Sequence, residues 1–261
     1  MEGTYSDLVR RWKALRTSHN VRLREVACVN APRTLLCAEW GDSTQPAIAL
    51  AAGVHGDEPA GPWALLELVE SHELDARFAY RIWPCTNPTG FAAGTRESTD
   101  GVDINRTFGR GGQSPEARAI LVSNRDRKFA LSVDLHEDCD ATGFYCYEYG
   151  EGTIGTCVVA ALESAGFPID PLEKTFAIAG PLDEAHCNRE RGRITADPFS
   201  EGELLGGLSY TLAIARHAAR HALTFETPAA AAWESRLAIA RTALRTAIAA
   251  VAEDSGTLRP K

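Results

Sequence analysis

Gly53-Val54-His55-Gly56-Asp57-Glu58-Pro59-Ala60-Gly61 lies where an apolar run, Ala47 to Val54, gives way to a helix-like run opening at Pro59. A buried strand that ends in a glycine-flanked turn puts His55 and Glu58 at the carboxyl edge of a sheet, where open α/β folds bind ligands. Two such side chains three residues apart can grip one metal ion. Zinc accepts imidazole nitrogen and carboxylate oxygen, and a catalytic site has three protein ligands with one position open. Taken alone, the H-x-x-E spacing arises readily by chance, and a solvated turn is the plain alternative. The rest of the chain must therefore supply a third ligand and a base.

The 261 residues fit one large α/β domain or two small ones. No repeat, linker or compositional break divides them, so a single domain over residues 1–261 is expected. A hydrophobic content of 44% with 24% charged residues suits a globular protein with a substantial core. The formal charge of -8, with Lys and Arg scattered, gives phosphate no concentrated basic surface, so no nucleic-acid partner is expected. Asp7, Arg10, Arg11 and Lys13 interrupt the N-terminal apolar residues, so neither a signal peptide nor a membrane span is read there. A cytoplasmic location with no membrane partner is the expectation. Seven cysteines, odd in number and without a C-x-x-C pair, read as reduced and mostly buried small hydrophobes. The sequence leaves the oligomeric state open.

Working outward, residues 6–17 carry a helical apolar spacing through Leu8, Val9, Trp12 and Leu15. Residues 21–29 and 33–40 alternate as a strand pair around Asn30-Ala31-Pro32. Ala47 to Val54 is uninterrupted, the pattern of a strand buried on both faces. A helix follows from Pro59, then a strand at Phe78 to Ile82. Cys85 to Gln113 has little periodicity, and an unstructured connection of that length is usually functional. Ser114-Pro115-Glu116 reads as a cap, a first-turn proline and a first-turn acid. Strands are expected at residues 130–136, 143–149 and 222–226, and helices at 153–165, 209–220 and 229–252. Between residues 166 and 207 only a short strand at Thr175 to Ala179 is read.

Three apolar strands thus end in His or Glu: His55 with Glu58, His136, and Glu226. Strand ends from distant parts of a chain meet only at one sheet edge, so the distribution says more than any single motif. Taken singly, His136 reads as well as a hydrogen-bonded strand histidine and Glu226 as a helix-start acid.

At these residues the chain resembles the zinc metallocarboxypeptidases of the carboxypeptidase A type, in their short bacterial form. The matching pieces are His55-Gly-Asp-Glu58, Asn87-Pro88-Thr89-Gly90-Phe91, Arg96, Gly101-Val102-Asp103-Ile104-Asn105-Arg106, Asp134-Leu135-His136 and Phe225-Glu226, in family order. The resemblance implies one α/β/α domain with a mixed, mainly parallel central sheet of about eight strands. It also implies one zinc ion per chain, held by His55, Glu58 and His136. Glu226 becomes the general base, since a carboxylate beside a zinc-bound water of pKa about 7 can take its proton. Asp103 matches the acid that accepts the free imidazole N–H of His55. Asn105 and Arg106 resemble the pair that holds a substrate's terminal carboxylate, and Arg96 the residue that stabilises the oxyanion. A surface salt bridge is the plain alternative for Asp103 and Arg106, and a solvated charge for Arg96.

The family's phenol has no secure match, Tyr210 being the nearest tyrosine and set in a helical pattern. Asp57, Glu137, Asp138 and Asp140 add negative charge near the ligands, which suits either a cationic substrate or slow metal release. The substrate implied is a small peptide cleaved beside a free carboxylate. Two other readings stand beside it. One is an N-acyl amino acid deacylase of the related succinylglutamate desuccinylase and aspartoacylase group, whose members usually carry a β-rich domain after the base where this chain has 35 residues. The other is a non-catalytic metal- or peptide-binding domain.

Overall fold

The computed structural model describes residues 3–149, 152–172, 187–196 and 207–256. The chain opens with α1 (Tyr5–Ser18), started by a reciprocal cap in which Thr4 Oγ1 accepts from Asp7 N at 3.2 Å and Asp7 accepts from Thr4 N at 3.1 Å. Its buried Leu8, Trp12 and Leu15 form the expected apolar stripe. There follow β1 (Arg22–Ala27), β2 (Thr34–Trp40), β3 (Ala47–Ala52), α2 (Ala60–Glu70), β4 (Ala79–Trp83), α3 (Pro88–Ala93), α4 (Pro115–Asn124), β5 (Phe129–Asp138) and β6 (Tyr145–Tyr149). The order continues with α5 (Ile154–Ser164), β7 (Cys187–Glu190), β8 (Arg193–Ala196), α6 (Tyr210–His217), β9 (Ala219–Pro228) and α7 (Trp233–Gly256).

The nine described strands form one mixed sheet in the order β1-β2-β4-β3-β5-β9-β6-β8-β7. Its centre, β4-β3-β5-β9, is parallel, while β1-β2, β2-β4, β9-β6 and β7-β8 pair antiparallel. Parallel strands need crossover helices that cover both faces, and this explains why β3 and β5 carry almost no exposed residue. Alternate residues divide between two cores. Ile48, Leu50, Leu131, Val133, Leu223 and Phe225 pack with α1, α2, α5 and α7 on one face. On the other, Ala49, Ala51, Trp83 and Phe129 meet α4, α6, Ile104 and Phe108. The result is the α/β/α sandwich that the alternation of strands and helices implied.

Several boundaries differ from the sequence reading. The stretch from Cys85 to Gln113 contains α3 and short 3-10 turns at Ile104–Arg106 and Gly109–Gly111. Their few residues are too short to show a period. A hairpin, β7 and β8, lies in the region read as featureless, and the strand read at Thr175 to Ala179 falls outside the described residues. Strand β9 begins three residues earlier than Ala222, and α7 starts at Trp233 rather than Ala229. The six cysteines whose side chains are described are free, four of them buried. Among the described residues no helix is long and apolar enough to cross a membrane.

What positions the His55 loop is a close backbone approach. Gly53, at φ +63, turns the chain out of β3. A Cβ on Gly56 would lie 1.9 Å from the carbonyl carbon of Gly90. The Asn87 to Phe91 stretch is therefore a buttress: Asn87 N donates to Gly53 O at 2.8 Å, and Asn87 Nδ2 and Gly56 N both donate to Arg96 O. Backbone against backbone cannot yield cheaply, so Gly56→Ala should lower unfolding stability by about 1–3 kcal/mol, the usual cost of overpacking. Urea unfolding checks this, and a wild-type midpoint would mean the contact gives way.

Candidate metal centre

His55 and Glu58 stand on the turn between β3 and α2, and His136 near the end of β5, the strand paired in parallel with β3. One ligand atom from each of the three lies within 4.8 Å of the others, and all three residues are buried. Glu58 joins them: Oε1 is 2.6 Å from His55 Nδ1, and Oε2 is 3.0 Å from His136 Nδ1. The Glu137 backbone N–H donates to the same Oε2 at 3.1 Å. The two rings meet edge-on with centroids 4.9 Å apart.

Burial opposes the charged form of Glu58, but the imidazoles of His136 and His55 outweigh it and hold its carboxyl well below the usual carboxylate range. For His136 burial again opposes charge, and the carboxylates of Asp134 and Glu58 raise its pKa well above the ordinary value. Both shifts describe the same thing, a set of facing charges that a metal cation would reorganise.

Glu226 is the Cα partner of His136 across the β5-β9 pair and of Tyr145 across β9-β6. Its partly buried carboxyl is pushed up to about 8, chiefly by desolvation, with His136 opposing and the neighbouring acids Glu58 and Asp138 adding to the rise. The Tyr145 phenol, buried on the same row, donates to Asp138 Oδ2 at 2.9 Å.

The other expected residues come from the loop after α3. Asp103 caps the turn Ile104–Arg106, and its Oδ1 lies 3.4 Å from His55 Nε2, an ion-pair separation longer than a hydrogen bond. Desolvation works against the Asp103 charge, but His55, Arg96 and Arg106 hold its carboxyl low. Arg96 has a side chain 44% exposed, so it can move; its guanidinium reaches Asp103 Oδ2 at 3.1 Å and His55 Nδ1 at 3.3 Å. Asn105 is buried, and its Oδ1 accepts from the Tyr210 backbone N–H at 3.1 Å, which leaves the amide N–H groups for another acceptor. Arg106 Nη1 donates to the Asn105 carbonyl at 3.2 Å.

One expectation is corrected here. Glu137 adds no free charge to the site: it points to the opposite face, where Arg236 Nε donates to it at 2.5 Å and Ala60 N at 2.8 Å. Tyr210, the nearest candidate phenol, is buried at the start of α6, with its ring edge-on to Phe108 and its hydroxyl against Ser132. The sequence reading gave no role to Asp134, whose Oδ2 is 3.1 Å from His136 Nε2. Residues i and i+2 of a strand share a face, and that signal was present.

Residues 44–168 match the family model of the succinylglutamate desuccinylase/aspartoacylase catalytic domain. That segment holds every expected site residue except Glu226. Carboxypeptidase SOL1 of Arabidopsis thaliana is 31% identical over 112 residues, 35% of this chain and 23% of that protein. Carboxypeptidase M of Mus musculus is 26% identical over 162 residues, 52% of this chain and 36% of that protein. The matched parts thus span well under half the length of these curated relatives. A candidate metallopeptidase from Shewanella denitrificans superposes with a TM-score of 0.73 at 22% identity, over 94% of this chain and 89% of its own. A metallo-carboxypeptidase from Burkholderia cenocepacia does so with a TM-score of 0.62 at 17% identity, over 94% and 68%. At these identities the superpositions speak for the fold. By that fold, by the matched segment and by the order of its motifs, the chain resembles the zinc carboxypeptidases of the carboxypeptidase A type and the succinylglutamate desuccinylase/aspartoacylase group related to them.

Proposed function

We propose that this protein is a zinc-dependent hydrolase that cleaves a peptide or amide bond beside a free carboxylate, with Glu226 as general base. The observation that carries the reading is the convergence of His55, Glu58 and His136, with Glu226 directly across from His136. Two imidazole nitrogens and a carboxylate suit zinc and leave a position open for chemistry. The Nδ1 atoms of both histidines already face the shared carboxylate, and the half-exposed Arg96, whose Nη1 lies 3.3 Å from His55 Nδ1, would give way to the ion. Zinc bound there would acidify a water to a pKa of about 7 and polarise the scissile carbonyl.

The chain's own residues do the rest. Glu226 takes the proton of the attacking water and returns it to the leaving nitrogen. Desolvation raises its pKa and a nearby cation lowers it, so the two together keep the group close to the range where it can do both. Arg96, tethered to Asp103 but half-exposed, has the reach to meet the oxygen that becomes negative. Asn105 offers its amide N–H groups and Arg106 a planar fork to a terminal carboxylate.

The match of residues 44–168 to the desuccinylase/aspartoacylase model favours a second reading, an N-acyl amino acid deacylase. Its substrate also carries a carboxylate next to the amide, so the same residues would serve. A panel of dipeptides, cell-wall peptides and N-acyl amino acids assayed on zinc-loaded protein separates the two.

Glu226→Gln keeps size and reach but loses the proton acceptor. Zinc content and substrate affinity should stay unchanged while the single-turnover rate falls by at least about 100-fold. A near-normal rate would remove Glu226 from the mechanism, and loss of zinc would make it a ligand. Recognition of the free carboxylate is tested separately. Amidating the substrate should weaken turnover sharply, and Arg106→Lys should do the same on the free acid because a point charge cannot replace the fork. Equal rates on free and amidated substrates would contradict carboxylate recognition and point to an endopeptidase.

A further inference from the structure

We infer that Asp134 is the positioning residue of the metal centre, fixing the ring of His136 so that Nδ1 is presented to the ion. The inference rests on the reading of His55, Glu58 and His136 as metal ligands. Asp134 lies two residues before His136 on β5, so the side chains share the face opposite the α2 and α7 helices. Its Oδ2 is 3.1 Å from His136 Nε2, while the other ring nitrogen, Nδ1, faces Glu58 at 3.0 Å. An imidazole with its Nε2–H committed to a carboxylate must offer its Nδ1 lone pair to a cation.

The contrast with His55 makes the assignment specific. The acid expected for that ring, Asp103, is 3.4 Å away, and among the described residues His55 Nε2 has no hydrogen bond. Asp103 is 23% exposed on a loop, whereas Asp134 is 1% exposed in the central sheet. Among the described residues Asp134 Oδ1 has no hydrogen-bond partner, and the side-chain contact of this carboxylate is the one to His136. A buried charge is costly unless it is paired and hydrogen-bonded, and the place of Asp134 in the buried centre of the sheet is explained by the histidine it holds. Of the two rings, His136 is therefore the one set by the central sheet, and His55 the one that the loop carrying Asp103 completes.

The test measures zinc affinity by chelator competition in wild type, Asp134→Asn, Asp134→Ala and His136→Ala, with circular dichroism to show that each metal-free protein is folded. Asn keeps the shape and an acceptor oxygen, so it guards against a variant that fails to fold. Asp134→Ala should weaken zinc binding by about 10- to 100-fold and Asp134→Asn by less, the range seen when such supporting partners are lost. In the zinc-loaded protein, nitrogen NMR should show His136 protonated on Nε2 with slow proton exchange, and Asp134→Ala should abolish that slow exchange. Wild-type affinity and unchanged Nε2–H exchange in both Asp134 variants, with zinc lost in His136→Ala, would overturn this inference and leave the metal site standing. Full zinc binding by His136→Ala would overturn the reading of the site itself, and this inference with it.

Discussion

The carboxylate of Glu58 is the interaction on which the site and much of the fold around it depend. Its two oxygens reach His55 at 2.6 Å and His136 at 3.0 Å, and the second also accepts from the Glu137 backbone. These contacts tie a turn after β3 to the end of β5. They work only if the two strands are adjacent and parallel, with Ala52 level with Leu135. They also need the turn to leave the sheet at a fixed angle, which Gly53 and the Gly56–Gly90 approach impose. The two imidazoles favour the buried anion, and their nitrogens together with its carboxylate form the donor set that a metal ion would share.

The far side of the sheet holds the same turn from behind. Glu137 alternates to the face opposite His136, accepts from Ala60 N at the start of α2, and is gripped by Arg236 of α7, whose guanidinium also stacks on Trp233. Helix α7 thus reaches the His55, Glu58 and His136 cluster through one acid. The polar face does the complementary work, with β9 bringing Glu226 level with His136 and β6 bringing Tyr145 beside it. A few strand ends set the geometry of the candidate site, while the loop from Arg96 to Arg106 supplies the groups proposed to meet a substrate. Fold likeness to carboxypeptidase structures and the match of residues 44–168 to a deacylase-type model agree on this scaffold.

Much of this was legible in the sequence because buried parallel strands leave uninterrupted apolar runs, and Ala47–Val54 and Ala130–His136 each deliver a histidine at their end. Helix α4 was legible from its cap: Ser114 Oγ accepts from Ala117 N at 3.1 Å. What escaped depended on partners far away in the chain. Glu116 reads as a first-turn acid yet is buried against Arg33, 83 residues distant, and Glu137 reads as one more active-site charge until Arg236 is seen beside it. Helix α3 is six residues long and β7 four, too short for a period to register. The start of β9 was hidden because Ala218 to Ala222 continues the alanine-rich character of α6, and alanine favours the helix until tertiary pairing overrides it.

The account stands or falls on one zinc ion between His55, Glu58 and His136. Diffraction data collected on either side of the zinc absorption edge from zinc-loaded crystals locate the metal without reference to activity. The account predicts a single strong anomalous peak about 2 Å from His55 Nδ1, His136 Nδ1 and a Glu58 oxygen. A peak elsewhere, as at the group Asp138, Cys139 and Asp140, with none between the two histidines, would contradict it.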